Sequence, residues 1–168
     1  MRYGESEEKY RLMAENMADI ISVMDMNLHF TYLSPSIKRV RGFTAEEVME
    51  QTFDQIMTPE SLQIVLAAFD EEMKMELIET ADPNRIRVME LEEYKKNGDL
   101  VWLESSMSFL RDKDYKPIAI LAVSRDITDR KRAEKALRET QRRLSDIIEF
   151  LPDATLVIDR EGLSLIHI

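Results

Sequence analysis

Residues 96–143 constrain the fold more than any other part of the chain, because strand-like segments lead directly into a long charged helix. Asn97 and Gly98 separate two such segments and favour a type I′ hairpin turn. The tripeptide Asp126-Ile127-Thr128 joins the last strand to the helix. This order predicts a sheet whose final strand leaves the domain through a helix. The three strands are predicted over 85–94, 100–110 and 117–125.

The residues before this stretch predict two more strands, over 19–24 and 29–33, joined by a turn in which Asn27 takes the left-handed conformation. A helix is predicted over 6–18, ahead of the first strand, from apolar residues at helical spacing. Two strands, a helical insert and three further strands predict an α+β domain. We expect a five-stranded antiparallel sheet with helices on one face and a cavity beneath the insert.

Three helix starts are predicted within the insert. Ser34-Pro35 places a capping residue and a first-turn proline before a short helix that Gly42 ends, and Thr44 with Glu47 forms a capping box. Thr58-Pro59 begins the longest of these helices. Its apolar residues indicate a face that packs on the sheet: Leu62, Val65, Leu66, Phe69, Met73 and Leu77.

The helix after Thr128 has apolar residues at alternating steps of four and three, which is the heptad pattern of a coiled coil. The predicted dimer seam contains Ala133, Leu137, Thr140, Leu144 and Ile147, and continues to Leu151. A parallel homodimer is the favoured interpretation, and a helix that packs back on its own domain is the alternative. Residues 129–143 hold seven basic and three acidic residues, a mixture typical of a solvated coiled-coil surface and not of a nucleic-acid interface.

An internal repeat at an offset of 134 residues predicts that a second domain begins near the end of the sequence. The repeated residues are Glu15, Asp19, Val23 and Asp25, which recur as Glu149, Asp153, Val157 and Asp159. We therefore divide the chain into a first domain over 1–128, a coiled-coil helix over 129–150 and the start of a second, similar domain over 151–168.

The composition indicates a globular protein with a reducing location. Apolar residues make up 44% and charged residues 33% of the 168 residues, and the net charge is −10. No apolar run approaches the roughly 20 residues that span a bilayer, no signal peptide is recognisable, and the chain has no Cys. We expect a cytoplasmic protein that does not insert into a membrane.

The strand over 100–110 predicts a ligand pocket on the inner face of the sheet. Val101, Leu103, Ser105, Met107 and Phe109 alternate along one face, and Trp102 packs on the other. Ser105 is polar among apolar neighbours, so it either orients a small ligand or bonds to backbone in a filled core. The candidate pocket residues are Leu103, Ser105, Met107, Met73 and Phe69.

Neither a catalytic site nor a metal site is predicted. His29 and His167 are too isolated for a zinc site or a catalytic triad. The acidic groups Glu71-Glu72 and Glu90-Glu92-Glu93 lack the ligand spacing of a calcium loop and are predicted to be solvated. The four Gly residues, at 4, 42, 98 and 162, do not form a phosphate-binding loop.

Several segments resemble a PAS domain of the S-box type, the sensory module of bacterial and archaeal signalling proteins. They are ENMADIISVMD, FTYLSPSIKRVRGFTAEEV, ELEEYKKNGDLVWLESS and SRDITDRKRAEKAL. The resemblance as a whole spans about residues 6–143. The chain departs from the family pattern at Tyr115, where Gly is usual, and at the start of the long helix. The resemblance implies a five-stranded sheet and a role in signal transduction. It implies neither haem nor a flavin adduct, since residues 59–79 contain no His and the chain contains no Cys; a small-molecule ligand is compatible with it.

The same resemblance implies that the tripeptide before the charged helix hands the signal to a downstream helix. Asp126, Ile127, Thr128 and Arg130 are the candidate coupling residues, with the Asp126 carboxylate capping amide groups and pairing with Arg130 or Lys131. We expect a sensory and dimerising module without catalytic activity, whose output domain is a histidine kinase. The alternatives are a diguanylate cyclase output and a ligand-free interaction or relay module.

Overall fold

The computed structural model describes residues 17–78, 80–150, 157–158 and 164–165. The chain divides into two compact units, Met1–Thr128 and Asp129–Ile168. The first unit contains one five-stranded antiparallel sheet with the order β2-β1-β5-β4-β3. Its strands are β1 (Ile20–Met24), β2 (Phe30–Leu33), β3 (Arg87–Tyr94), β4 (Leu100–Arg111) and β5 (Pro117–Asp126).

Four helices follow β2 and cover the inner face of the sheet, so the α+β architecture expected from the sequence is confirmed. They are α1 (Ser36–Arg41), α2 (Ala45–Met49), α3 (Phe53–Ile56) and α4 (Pro59–Met75). The core between them is apolar, as an amphipathic layer packing requires. Its buried residues include Ile20, Leu33, Ile37, Val48, Ile56, Val65, Leu91, Val101 and Leu103.

Side-chain caps begin most of these helices. Thr44 and Glu47 form the expected capping box, and Thr58 accepts a hydrogen bond from the amide of Ser61 at 3.3 Å. A second box, between Thr52 and Gln55, begins α3. Ser34 does not cap α1 as expected, because its hydroxyl accepts a hydrogen bond from the amide of Ile21 in β1 at 2.8 Å.

The buried face of α4 differs from the predicted one. Val65 and Ala68 are buried, but Leu66, Met73 and Leu77 are 48%, 37% and 85% exposed. The end of this helix contacts the sheet through ion pairs instead: Glu72 of α4, and Glu76 just after it, pair with Arg85, Arg87 and Arg111.

The turns between β1 and β2, β3 and β4, and β4 and β5 share one geometry. In each, one residue has positive φ, and its backbone amide donates a hydrogen bond to the carbonyl three residues earlier. Those residues are Leu28, Gly98 and Tyr115, with φ of 66°, 88° and 61°. Leu28 and Tyr115 are the only non-glycine residues with positive φ in the described part of the chain. The left-handed residue is therefore Leu28 and not Asn27. The type I′ prediction at Asn97-Gly98 is wrong, since that turn needs positive φ at both central residues.

The second unit contains most of α5 (Thr128–Phe150), and two short antiparallel strands, β6 (Val157–Ile158) and β7 (Ser164–Leu165). The strands lie where the offset of 134 residues would put equivalents of β1 and β2. Glu15, Asp153 and Asp159 of the repeat lie outside the described residues, so the second domain stays a prediction. Among the described helices, none combines the length and apolarity needed to cross a bilayer.

Candidate functional site

A cavity of about 50 Å³ lies between the inner face of the sheet and the helices α1 to α4. It has room for more than one water molecule. Of the predicted pocket residues, Leu103, Ser105 and Met107 line it. They share this wall because residues two apart on β4 lie on one face of the strand, and their role in binding a ligand stays a prediction.

Hydroxyl groups from neighbouring strands form one polar part of the cavity wall. Ser105 of β4 lies opposite Ser124 of β5, and their hydroxyl oxygens are 2.7 Å apart in a buried hydrogen bond. Ser22 of β1 also lines the cavity. Ser105 is thus bonded to another side chain, and not to backbone. In such a pair one hydroxyl donates and the other keeps a hydrogen that a further acceptor can use.

A buried ion pair forms the other polar part of the wall. Arg41, at the last position of α1, is 2% exposed, and its Nη1 lies 3.1 Å from Oε2 of Glu93 in β3. The Arg41 Nε donates to the carbonyl of Tyr94 at 2.9 Å, and its Nη2 donates to the carbonyl of Ile56 at 3.1 Å. Both charged side chains line the cavity.

Burial disfavours the charged form of each partner. It raises the pKa of the Glu93 carboxyl, and the nearby Arg41 guanidinium partly offsets this rise. It lowers the pKa of the Arg41 guanidinium, and the Glu93 carboxylate opposes that change. The cavity therefore contains a desolvated positive group beside a desolvated negative one, where electrostatic interactions are stronger than in water.

Glu93 was predicted to be solvated, and that prediction is wrong. Met89, Leu91 and Glu93 are the buried residues of β3, so strand alternation puts Glu93 on the inner face. The signal was present in the sequence as this period of two. The burial of Arg41 was harder to predict from the sequence, since a basic residue near a helix C-terminus is ordinarily solvated.

A second cavity, of about 30 Å³, lies beneath the C-terminal half of α4. Phe69 and Met107 line it. Met73, the fifth predicted pocket residue, is 37% exposed on α4 and lines neither of these two cavities. The prediction for Met73 is wrong because the helix turns this residue away from the sheet.

A network of ion pairs lies beside this second cavity and joins Glu72 of α4 and Glu76, just after the helix, to Arg85, Arg87 and Arg111. Glu76 receives hydrogen bonds from Arg111 at 2.7 Å and from Arg85 at 2.6 Å, and Glu72 pairs with Arg85 and Arg87. The hydrogen bonds from Arg111, with those from Arg85, outweigh burial and lower the pKa of Glu76 from 4.5 to about 2. Glu72 and Glu76 are largely buried, so the expectation that Glu72 is solvated is also wrong.

The exit from β5 is hydrogen-bonded to the neighbouring strand. The amide of Ile127 donates to the carbonyl of Trp102 at 2.9 Å, and the amide of Trp102 donates to the hydroxyl of Thr128 at 3.1 Å. The Asp126 carboxylate accepts a hydrogen bond from the amide of Thr128 at 2.8 Å. The segment Asp126-Ile127-Thr128 is thus fastened to β4 at Trp102. Arg130 lies 3.8 Å from Glu134, within α5.

The predicted dimer seam lies on an exposed stripe of α5. Ala133 and Thr140 are exposed, and Leu137, Leu144 and Ile147 are 60%, 55% and 58% exposed. Leu151 lies outside the described residues. Large apolar side chains at heptad spacing on an exposed helix are the arrangement that a coiled-coil partner covers.

Within the part of the chain that the structure describes, no group of three or more His, Cys, Asp and Glu side chains could hold a metal ion. His29 contacts Asp25, with 3.3 Å between Nδ1 and Oδ2, at the exposed turn after β1. This contact joins residues of one turn.

Comparison with known proteins gives a family match over most of the chain. The family model for the PAS fold matches residues 14–132. The sensor histidine kinase TmoS of Ectopseudomonas mendocina is 24% identical over 84% of this chain and 14% of its own length. The probable diguanylate cyclase DgcE of Escherichia coli is 26% identical over 84% of this chain and 12% of its own length.

A solved structure from a sensory box histidine kinase/response regulator of Burkholderia thailandensis superposes with a TM-score of 0.58. It is 24% identical, and the match covers 82% of this chain and 98% of that one. At this identity the likeness shows the fold. The chain spans about an eighth of the length of the two curated relatives, so it corresponds to one segment of such proteins.

Proposed function

The chain belongs to the PAS fold family, and from that premise we propose that it senses a signal and passes it through Asp126-Ile127-Thr128 and α5 to an output domain. PAS domains are sensory modules and not catalytic ones, and this one is homologous to those of histidine kinases and of a diguanylate cyclase. A histidine kinase is the proposed output.

The observation that carries this proposal is the hydrogen bonding of the exit segment to Trp102. Trp102 belongs to β4, and the adjacent residues Val101 and Leu103 face the core, with Leu103 in the cavity wall. A ligand or a neighbouring domain that shifts β4 would displace Trp102 and with it Ile127 and Thr128. Because α5 begins at Thr128, that displacement acts on the first turn of the helix.

Coupling of this kind is testable in a fusion in which residues 1–150 replace the matching region of the sensor histidine kinase TmoS. Thr128→Val removes the hydroxyl that accepts from Trp102, and Asp126→Ala removes the carboxylate that holds the Thr128 amide. We expect each variant to change autophosphorylation at least threefold. Thr128→Ser keeps the hydroxyl and should behave as the parent fusion does.

Asp129→Ala is a further matched control, since this acidic residue lies in the same turn and its side chain is 98% exposed. Autophosphorylation of Thr128→Val and Asp126→Ala equal to that of the controls would contradict the proposed route. A change in all variants alike would indicate a general effect on the fusion and not coupling through Thr128.

We also propose that the module acts as a parallel homodimer through the exposed stripe of α5. A dimer brings two output domains together, and the stripe of Leu137, Leu144 and Ile147 supports this arrangement.

A second candidate function is a ligand-free relay between neighbouring domains. The cavity volume favours it, because about 50 Å³ is small beside the pockets that bind drug-sized ligands. Native mass spectrometry of the purified chain distinguishes the two functions. A bare polypeptide that retains no added small molecule supports the relay, and a bound mass supports a ligand sensor.

A further inference from the structure

The charged groups of the first cavity indicate what kind of ligand it accepts. Arg41 and Glu93 together carry no net charge, and both line the cavity while almost wholly withdrawn from solvent. No other side chain that lines this cavity is ionisable. Burying an additional unpaired charge there would be costly, so the site favours a ligand whose own net charge is zero.

The Glu93 carboxylate has few partners for a buried anion. Its one contact among the described residues is the Arg41 guanidinium at 3.1 Å, whereas a carboxylate can accept about four hydrogen bonds. Arg41 donates to two carbonyls besides this contact, and a guanidinium has five N–H groups. Each partner therefore retains capacity for a further group of opposite charge.

The cavity volume limits the size of such a ligand. About 50 Å³ has room for about four water molecules, and hence for a ligand of about four to six non-hydrogen atoms. The wall around the ion pair is apolar, with Leu91, Leu103 and Ile56 among its residues. These limits fit a compact ligand that has one positive and one negative group close together and only a short apolar remainder.

We propose that the cavity binds a small zwitterionic amino acid, whose ammonium group meets Glu93 and whose carboxylate meets Arg41. The inference rests on the proposed sensory function and names its ligand class. The short side chain of the ligand lies among the apolar residues, toward the hydroxyl pair of Ser105 and Ser124. Binding exchanges the single ion pair for an alternating set of four charges, which satisfies both buried side chains more fully.

The first test uses the purified chain, dialysed free of small molecules, with glycine and L-alanine as probes. Isothermal titration calorimetry measures their dissociation constants beside those of acetate, ethylamine and L-phenylalanine. We expect glycine or L-alanine to bind at least tenfold more tightly than acetate and ethylamine, which each carry one of the two charges. L-Phenylalanine, which exceeds the volume, should bind at least tenfold more weakly. Acetate that binds as tightly as L-alanine overturns the proposal, and so does a chain that binds none of the probes.

Variants of the ion pair supply the second test. Glu93→Gln keeps the size of the side chain and removes the charge that meets the ammonium group, so it should weaken L-alanine binding at least tenfold. The double variant Arg41→Met with Glu93→Leu removes both charges and should abolish binding. Circular dichroism and thermal unfolding show whether each variant is folded, and Glu93→Gln remains informative where the double variant is not.

The control is Lys74→Met with Asp70→Leu, which removes an exposed ion pair of α4 outside this cavity. It should bind L-alanine as the parent chain does. Glu93→Gln that is folded and binds L-alanine with unchanged affinity overturns the inference.

The failure of this inference and that of the proposed function are distinguishable. If the chain binds no amino acid but Thr128→Val still alters kinase output in the fusion, the amino-acid inference is wrong and the proposed function stands. If the chain binds L-alanine but Thr128→Val and Asp126→Ala leave kinase output unchanged, the proposed signalling route is wrong and the amino-acid inference stands.

Discussion

Arg41 and Glu93 stabilise the folded chain only as a pair. Each group is withdrawn from solvent, so each would be an uncompensated buried charge without the other. A pair of this kind contributes little net stability relative to apolar residues of similar volume. Its position in the cavity wall agrees with the proposal that the two charges contact a ligand.

We expect Glu93→Leu to lower the free energy of unfolding by about 3–5 kcal/mol, because it leaves the Arg41 guanidinium buried and unpaired. Arg41→Met together with Glu93→Leu should cost less than the two single changes added together, even though the carbonyls of Tyr94 and Ile56 lose a donor. Urea unfolding of the parent, the two single variants and the double variant measures the interaction energy between the two side chains. The control is Glu92→Leu, at the neighbouring residue on the other face of β3. It should change the free energy of unfolding by only about 0.5 kcal/mol. Strict additivity would show that the two charges do not interact.

Glu76 makes the stability of the domain depend on pH. Its pKa is lowered from 4.5 to about 2 in the folded chain, so its contribution is fully present above pH 4.5 and is lost as the pH falls toward 2. We expect Glu76→Gln to reduce stability at pH 7 by roughly 2 kcal/mol through the weakened bonds from Arg111 and Arg85. The variant should then lose less stability than the parent between pH 5 and pH 2.

Unfolding midpoints at intervals from pH 7 to pH 2 check this expectation. Glu71→Gln is the matched control, since Glu71 lies on the same helix and pairs with Arg87 while 60% exposed. Parallel pH profiles for the parent and Glu76→Gln would contradict the role given to Glu76.

At the scale of single elements, the connection between β4 and β5 holds a strained residue. Tyr115 has φ of 61° and is 71% exposed, so its side chain contributes little packing to offset the left-handed backbone. The resemblance to PAS domains leads us to expect glycine at this position, where the backbone of Tyr115 is left-handed. The turn forms because Asp112 accepts hydrogen bonds from the amides of Asp114 and Lys116.

Tyr115→Gly should raise the free energy of unfolding by about 1 kcal/mol, because glycine adopts positive φ without steric cost. Thermal and urea unfolding measure the difference. Lys113→Gly, in the same exposed turn but without positive φ, should lower stability through the greater entropy of the unfolded chain. A lower stability for Tyr115→Gly would mean that the exposed ring contributes contacts outweighing the backbone strain.

At the scale of the whole molecule, the proposed output depends on association of two chains. The exposed apolar side chains of α5 are the most regular such stripe on a described helix. If the proposed dimer forms through this stripe, Leu137→Asp with Leu144→Asp should make the chain monomeric, because charges at the seam would be buried unpaired. Sedimentation velocity measures the oligomeric state of each variant.

Arg138→Asp with Arg142→Asp is the control for that experiment. It changes charge on the same helix at residues outside the predicted seam, so the dimer should persist. A Leu137→Asp, Leu144→Asp variant that still sediments as a dimer would place the interface elsewhere.

Local sequence signals predicted most of the fold correctly. The capping residues Thr44 and Thr58 begin helices as expected, and the alternation of β4 puts Leu103, Ser105 and Met107 on the side of the sheet that faces the cavity. Asn97-Gly98 predicted a hairpin at the right position with the wrong turn type. These signals act over a few residues, where backbone sterics and side-chain capping dominate the energy.

The sequence by itself determined most of the elements and their order, because periodicity, caps and turn residues act along neighbouring residues, and the resemblance of its segments to PAS domains indicated the family. It did not predict the short helix α3 (Phe53–Ile56). Only the tertiary structure decided which polar groups meet across the chain. The hydroxyl contact of Ser105 with Ser124 depends on the register of two strands, and the pairing of Arg41 with Glu93 joins residues on separate elements. It also decided which residues of α4 meet the sheet, where Glu72 pairs with Arg85 and Arg87 while Met73 is exposed. Such contacts follow from the packing of distant segments, for which local propensity contains no information.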